Sequence, residues 1–98
     1  MKFRYLAALA AILVASNAFA FAGAKYLSQA TVPLVHARKL ALEAYPGKIV
    51  SEELEKESGG SGLRYSFVIL HHREKHEVGV DAKTGKVLEN SMEGQRPD

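Results

Sequence analysis

Leu63–Glu89, LRYSFVILHHREKHEVGVDAKTGKVLE, decides the fold. It reads as three short strands joined by two turns. Asp81 and Lys86 bracket Ala82–Gly85, which fits a four-residue hairpin loop built on a type I turn. The Asp81 carboxylate accepts hydrogen bonds from turn amides, and Gly85 takes the left-handed conformation without steric cost. Closing the loop this way sets Val80 across from Val87, and Val78 joins them by period-two alternation. Upstream, Leu63, Tyr65, Phe67 and Ile69 alternate with Arg64, Ser66, Val68 and Leu70. The aromatic side is expected to form the core, because Tyr and Phe bury the larger area. Gly79 interrupts its strand. It reads as a bulge or a gap on the solvent face beside Glu77 and Asp81, with close approach of a partner's backbone as the alternative.

Working outward, Lys48–Lys56, KIVSEELEK, is a further strand with Val50 and Leu54 on one face. Its carboxylates, Glu52, Glu53, Glu55 and Glu57, read as a solvated strand face, since a Ca²⁺ site needs oxygens converging from a tight loop. SGGSG, residues 58–62, is a flexible connection and not a phosphate cradle, because a strand follows it. Leu34–Tyr45 is a helix. At 100° per residue Leu34, Ala37, Leu40, Ala41, Ala44 and Tyr45 share one arc, opposite His36, Lys39 and Glu43. Pro33 suits the first turn, Thr31 is the nearest capping side chain, and Pro46-Gly47 stops the helix. Val35 and Leu42 sit off the main arc, where they either widen the core face or form a small exposed patch.

Residues 1–20 read as a secretory signal. Lys2 and Arg4 supply a basic start, and Leu6–Ala15 an apolar run too short to span a bilayer comfortably. Small residues at alternate positions place the cut after Ala20, Ala22 or Ala24, with Ala20 preferred. Residues 21–31 follow as a lead segment, and Lys25–Val32 is expected to be poorly ordered or to form a short edge strand. A domain over 32–90 comes next, and 91–98 is expected to be a disordered tail. The chain has 98 residues and no Cys, which excludes disulfides and thiolate metal sites. Its net charge of +2 rests on Lys2 and Arg4; from residue 21 onward acids and bases balance. That balance gives no electrostatic case for nucleic acid or an anionic membrane.

In order and spacing, ARKLALEAYPGKIVSEELEKE, LRYSFVI and HEVGVDAKTGKVLE resemble the PepSY domain. That domain occurs in propeptides of thermolysin-type metallopeptidases and in small exported bacterial proteins. The most telling pieces are Ala44-Tyr45-Pro46-Gly47 and the strand-turn-strand from Val80 to Val87. The sequence departs from the family in the turn His71–Lys75, where a Gly is usual, and at Pro33 and Val35, where a hydroxyl cap and an acidic residue are common. The resemblance implies an α+β fold, one helix packed on a four-stranded antiparallel sheet. It also implies an exported, non-catalytic interaction domain, periplasmic or secreted, that modulates or inhibits an envelope or secreted peptidase in trans.

No constellation for catalysis is legible: Ser66 lies mid-strand, with no sign of an adjacent base or oxyanion donors. No catalytic residue, cofactor or metal is assigned. The alternative is a periplasmic metal-binding protein using His71, His72 and His76, since imidazole ligates Zn²⁺, Cu²⁺ and Ni²⁺. Adjacent His71 and His72 point to opposite faces of a strand, and only a bent turn brings them together. The expected partner is a protein, with no nucleic acid and no stable membrane insertion after processing. A homodimer through Val35 and Leu42 is a third reading. The solvent sides of Lys48–Lys56 and Lys86–Asn90 are the expected contact surfaces, if these strands are the edges.

Overall fold

The computed structural model describes residues 21–94. The leader expected over 1–20 and the end of the tail, 95–98, lie outside the described residues. In chain order the elements are β1 (Phe21–Ala22), a 3-10 helix (Ala24–Gln29), α1 (Leu34–Ala44), β2 (Lys48–Lys56), β3 (Leu63–His71), β4 (Glu74–Asp81) and β5 (Val87–Met92). The strands form one sheet in the order β1-β2-β3-β4-β5, with α1 lying over β3, β4 and β5. The class is α+β, but the sheet has five strands, not four, and is mixed. β1 runs parallel to β2, Phe21 opposite Glu52 and Ala22 opposite Glu53. Gly23 makes this fifth strand fit: its φ is 92°, and a Cβ there would collide with the Leu54 carbonyl oxygen. The chain turns off β2 at that point into the 3-10 helix, whose Tyr26 packs against the core.

β3 is the centre of the sheet, and the predicted alternation holds. Leu63, Tyr65, Phe67 and Ile69 are all buried on the helix side. Tyr65 lies between Leu54 and Val80, and Phe67 between Glu52 and Val78. Ala37 and Ala41 are fully buried beneath α1. With no side chain longer than a methyl at those two points, the helix axis comes close to the sheet. Leu34, Leu40, Ala44 and Tyr45 seal the sides. The Tyr65 hydroxyl is satisfied by the Val32 carbonyl at 2.7 Å, just ahead of the helix.

Helix entry uses backbone rather than a capping side chain. The Pro33 carbonyl accepts from His36 and Ala37 N–H, while Thr31 and Val32 N–H both donate to the Ala82 carbonyl. Thr31 therefore anchors the lead to the β4–β5 loop instead of capping α1. That loop closes as its residues imply: Asp81 N–H donates to the Lys86 carbonyl, Gly85 N–H to Asp81, and Gly85 has φ 82°.

Four expectations about residues within this frame change. In β2 the register shifts between Ile49 and Ser51, so Ile49 pairs with Ile69 and packs on the core, and Val50 is the extra residue. In β5 the slip falls opposite Gly79 and Val80, which makes Leu88 the bulged residue and leaves Gly79 in regular register. Ser91 and Met92, expected to open a disordered tail, pair with Glu77 and His76, and Glu93 N–H donates to the Lys75 carbonyl. The proposed patch of Val35 and Leu42 also separates. Leu42 packs against the core, whereas Val35 stands 70% exposed.

Candidate functional site

The helix covers one face of the sheet, and the other face is built from side chains alone. Its rows follow from the register: Ser51, Val68, Glu77 and Ser91; then Glu53, Ser66, Gly79 and Glu89; then Glu55, Arg64 and Asp81. Arg64 lies flat across this surface and is 7% exposed. Its Nη1 and Cδ sit where a Cβ on Gly79 would touch them, at 3.2 and 3.4 Å. Gly79 is thus neither a bulge nor a landing point for another chain. It is the floor under an arginine. Nη1 donates to Glu89 Oε1 at 3.4 Å and Nη2 to the Ser58 carbonyl at 3.2 Å, while the buried Nε has no partner among the described residues.

Along β2 the carboxylates divide by parity. Glu53 and Glu57 are exposed and Glu55 half-buried on the open face. Burial and a hydrogen bond shared with Glu57 push Glu55 up to about 7, against the Ser66 hydroxyl, which donates to it at 3.0 Å. Glu52 corrects the solvated-face reading. It points to the helix side and is 3% exposed. Arg38 from α1 holds it by two hydrogen bonds, Nε to Oε2 and Nη2 to Oε1, both 2.7 Å. That bond raises the Arg38 pKa. The sequence signal was present: Glu52 shares parity with Leu54, and a bidentate arginine is the usual requirement for a carboxylate at such a depth.

The histidines gather at the β3–β4 tip around Tyr45. The turn is the pair His72-Arg73, and His72 carries φ 57°, which brings its ring edge-on to His71 with centroids 4.3 Å apart. This is the bent turn that joins the two rings. His76 stacks on Tyr45 at 3.7 Å, and its Nδ1 lies 2.9 Å from Asn90 Oδ1. Asn90 in turn donates to the Ala44 carbonyl at 3.2 Å, at the end of α1. His76 therefore helps pin the helix C-terminus to β4 and β5. Among the described residues no group of three or more His, Cys, Asp or Glu side chains is arranged to hold a metal ion.

The two edges of the sheet differ. On one side β1 pairs with Glu52 and Glu53 in the middle of β2, so Lys48–Lys56 is not an uninterrupted edge. Among the described residues β5 ends the sheet on the other side. Ala82 N–H donates to Leu63, and Glu93 N–H to Lys75, which fixes the alternation of the ladder. Ser91 and Glu93 turn their main-chain groups toward β4, and Asn90 and Met92 turn theirs outward. Val87 and Met92 on the helix side of this strand are 39% and 38% exposed.

A single helix packed on one face of a five-stranded mixed sheet defines a small α+β domain. Residues 31–90 match the PepSY family, described as Peptidase propeptide and YPEB domain, and the chain belongs to that family. No curated protein and no solved structure matches the chain. PepSY domains are in general propeptide or regulatory domains that interact with peptidases and occur in exported proteins. No helix among the described residues is long and apolar enough to cross a membrane.

Proposed function

We propose that this protein is an exported, non-catalytic PepSY domain that binds a peptidase, or another envelope protein, in trans and restrains or assists it. The observation that carries the reading is the open β5 strand on a domain of a propeptide-type family. Strand addition to such an edge supplies main-chain hydrogen bonds, while alternate side chains supply selectivity. The buried polar groups Glu52, Ser66 and Asp81 are each hydrogen-bonded within the domain. The fold therefore spends these groups on holding itself together.

Export with removal of residues 1–20 belongs to the same proposal. Phe21 is the first residue of β1 and packs against the core, so a cut after Ala20 keeps the fifth strand, whereas one after Ala22 or Ala24 removes it. N-terminal sequencing of the secreted form should begin at Phe21; a start at Gly23 or Lys25 contradicts this.

The function is tested by titrating the purified protein into thermolysin-type and other envelope peptidases and by capture from periplasmic extract. A saturable change in activity or in refolding yield of one peptidase supports it. Unchanged activity throughout, together with no captured protein, overturns it.

A further inference from the structure

We infer that Arg64 is a two-position side chain: it holds Glu89 on β5 while Glu55 is a neutral acid, and turns to Glu55 once that carboxyl ionises. The register sets Arg64 directly opposite Glu55 on β2 and Asp81 on β4, all on the open face. Directly opposed side chains have Cβ atoms about 5 Å apart, within reach of an arginine and a glutamate. Yet Arg64 leans away from Glu55, over Gly79, and ends on poor partners. Its bond to Glu89 is 3.4 Å long and that to the Ser58 carbonyl 3.2 Å, while its buried Nε–H has no acceptor among the described residues. Arg38 shows a satisfied pair in the same sheet, with two bonds of 2.7 Å to Glu52. A buried guanidinium with a spare donor is destabilising, and a carboxyl able to accept from it stands across the strand.

The two stay apart because Glu55 is held as the acid. Burial disfavours its charge, Glu57 shares a hydrogen bond with it, and the like charges of Glu53 and Glu57 flank it, so the acid persists up to about pH 7. The charged groups on the other elements are already engaged. Asp81 accepts from Ser61, Lys83 and Thr84, and Lys25 of the 3-10 helix and Lys56 of β2 hold their ammonium groups over the Tyr26 ring. Glu89 also accepts from the Ser91 hydroxyl and is partly open to solvent, so it remains satisfied when Arg64 leaves. The exchange moves a positive charge from β5 to β2 and frees Glu89 beside the Leu88 bulge. The open face therefore presents a different charge row on either side of the Glu55 titration.

Nuclear magnetic resonance of the isotope-labelled protein tests this by following the Arg64 Nε–H proton and the Glu55 side-chain carboxyl carbon from about pH 5 to about pH 8. As Glu55 ionises, the Arg64 Nε–H resonance moves downfield with the same midpoint, and its exchange becomes about tenfold slower than that of an exposed arginine. Glu55→Gln holds Arg64 in its acid-side position at every pH. Glu89→Gln removes the charge of the competing partner and leaves the step in place. Arg64→Lys keeps the positive charge without an Nε–H, and raises the Glu55 midpoint by about half a unit. A flat Arg64 signal, a step that survives in Glu55→Gln, or an unchanged Glu55 midpoint in Arg64→Lys overturns the inference. A step that vanishes in Glu89→Gln also overturns it and assigns the titration to Glu89.

Discussion

Ser61 and Asp81 join two loops that are twenty residues apart in the chain. The Ser61 hydroxyl donates to Asp81 Oδ1 at 2.7 Å, and the Ser61 N–H donates to Oδ2 at 2.8 Å. Lys83 and Thr84 N–H complete the set on Oδ1. Against a desolvation that alone would raise it, these bonds hold the buried Asp81 carboxyl down at about 2. SGGSG is therefore a fixed cover over the β4–β5 turn, drawn down by one carboxylate.

Asp81→Asn should cost about 2–3 kcal/mol in denaturant unfolding, and Ser61→Ala about 1 kcal/mol. The folded pKa lies below the unfolded one. The contribution of Asp81 is thus present above about pH 4 and disappears as pH falls toward 2. Stability of the wild type should drop through that window, and that of Asp81→Asn should drop less.

Glu55 has the opposite sign. Its folded pKa of about 7 exceeds the ordinary 4.5, so its protonated form favours the fold below pH 4.5 and the benefit fades as pH rises through 7. Glu55→Gln should match the wild type at pH 4 and exceed it at pH 8 by up to about 1 kcal/mol after solvent screening. Unfolding curves at the two pH values check this.

Arg38→Ala leaves the Glu52 carboxylate buried without its partner and should destabilise by about 3 kcal/mol. Replacing both, Arg38→Met with Glu52→Leu, should return stability to within about 1 kcal/mol of the wild type. A double-mutant cycle reads the difference directly.

Gly79→Ala should cost about 1 kcal/mol, although Gly to Ala within a strand ordinarily helps, because the new methyl meets Arg64. In an Arg64→Ala background the same change should be neutral or stabilising. Thermal melts of the four proteins suffice.

The core was legible because period-two alternation in β3 and the helical arc of α1 each name one buried face. Leu63, Tyr65, Phe67 and Ile69 fall there as read, as do Ala37 and Ala41. What sequence pattern does not carry is the reach of a long side chain between elements. Arg38 reaching Glu52, Arg64 lying over Gly79 and Asp81 holding Ser61 all depend on distances set by the assembled sheet. β1 was missed for a similar reason: two residues carry no periodicity, and only the left-handed Gly23 marks the place. The bulges at Val50 and Leu88 shift register without leaving a compositional trace. The propeptide-type family was readable from the order of short motifs, and so was Lys86–Asn90 as one edge of the sheet, whereas the pairing of β1 with part of β2 was not.

Residue-by-residue amide hydrogen exchange on the monomeric protein tests the open β5 edge most directly. Protected amides at Ser91 and Glu93, with Asn90 and Met92 exchanging as fast as an exposed peptide, are the expected result. Uniform protection along the strand would mean that this edge is already covered, and would contradict the account.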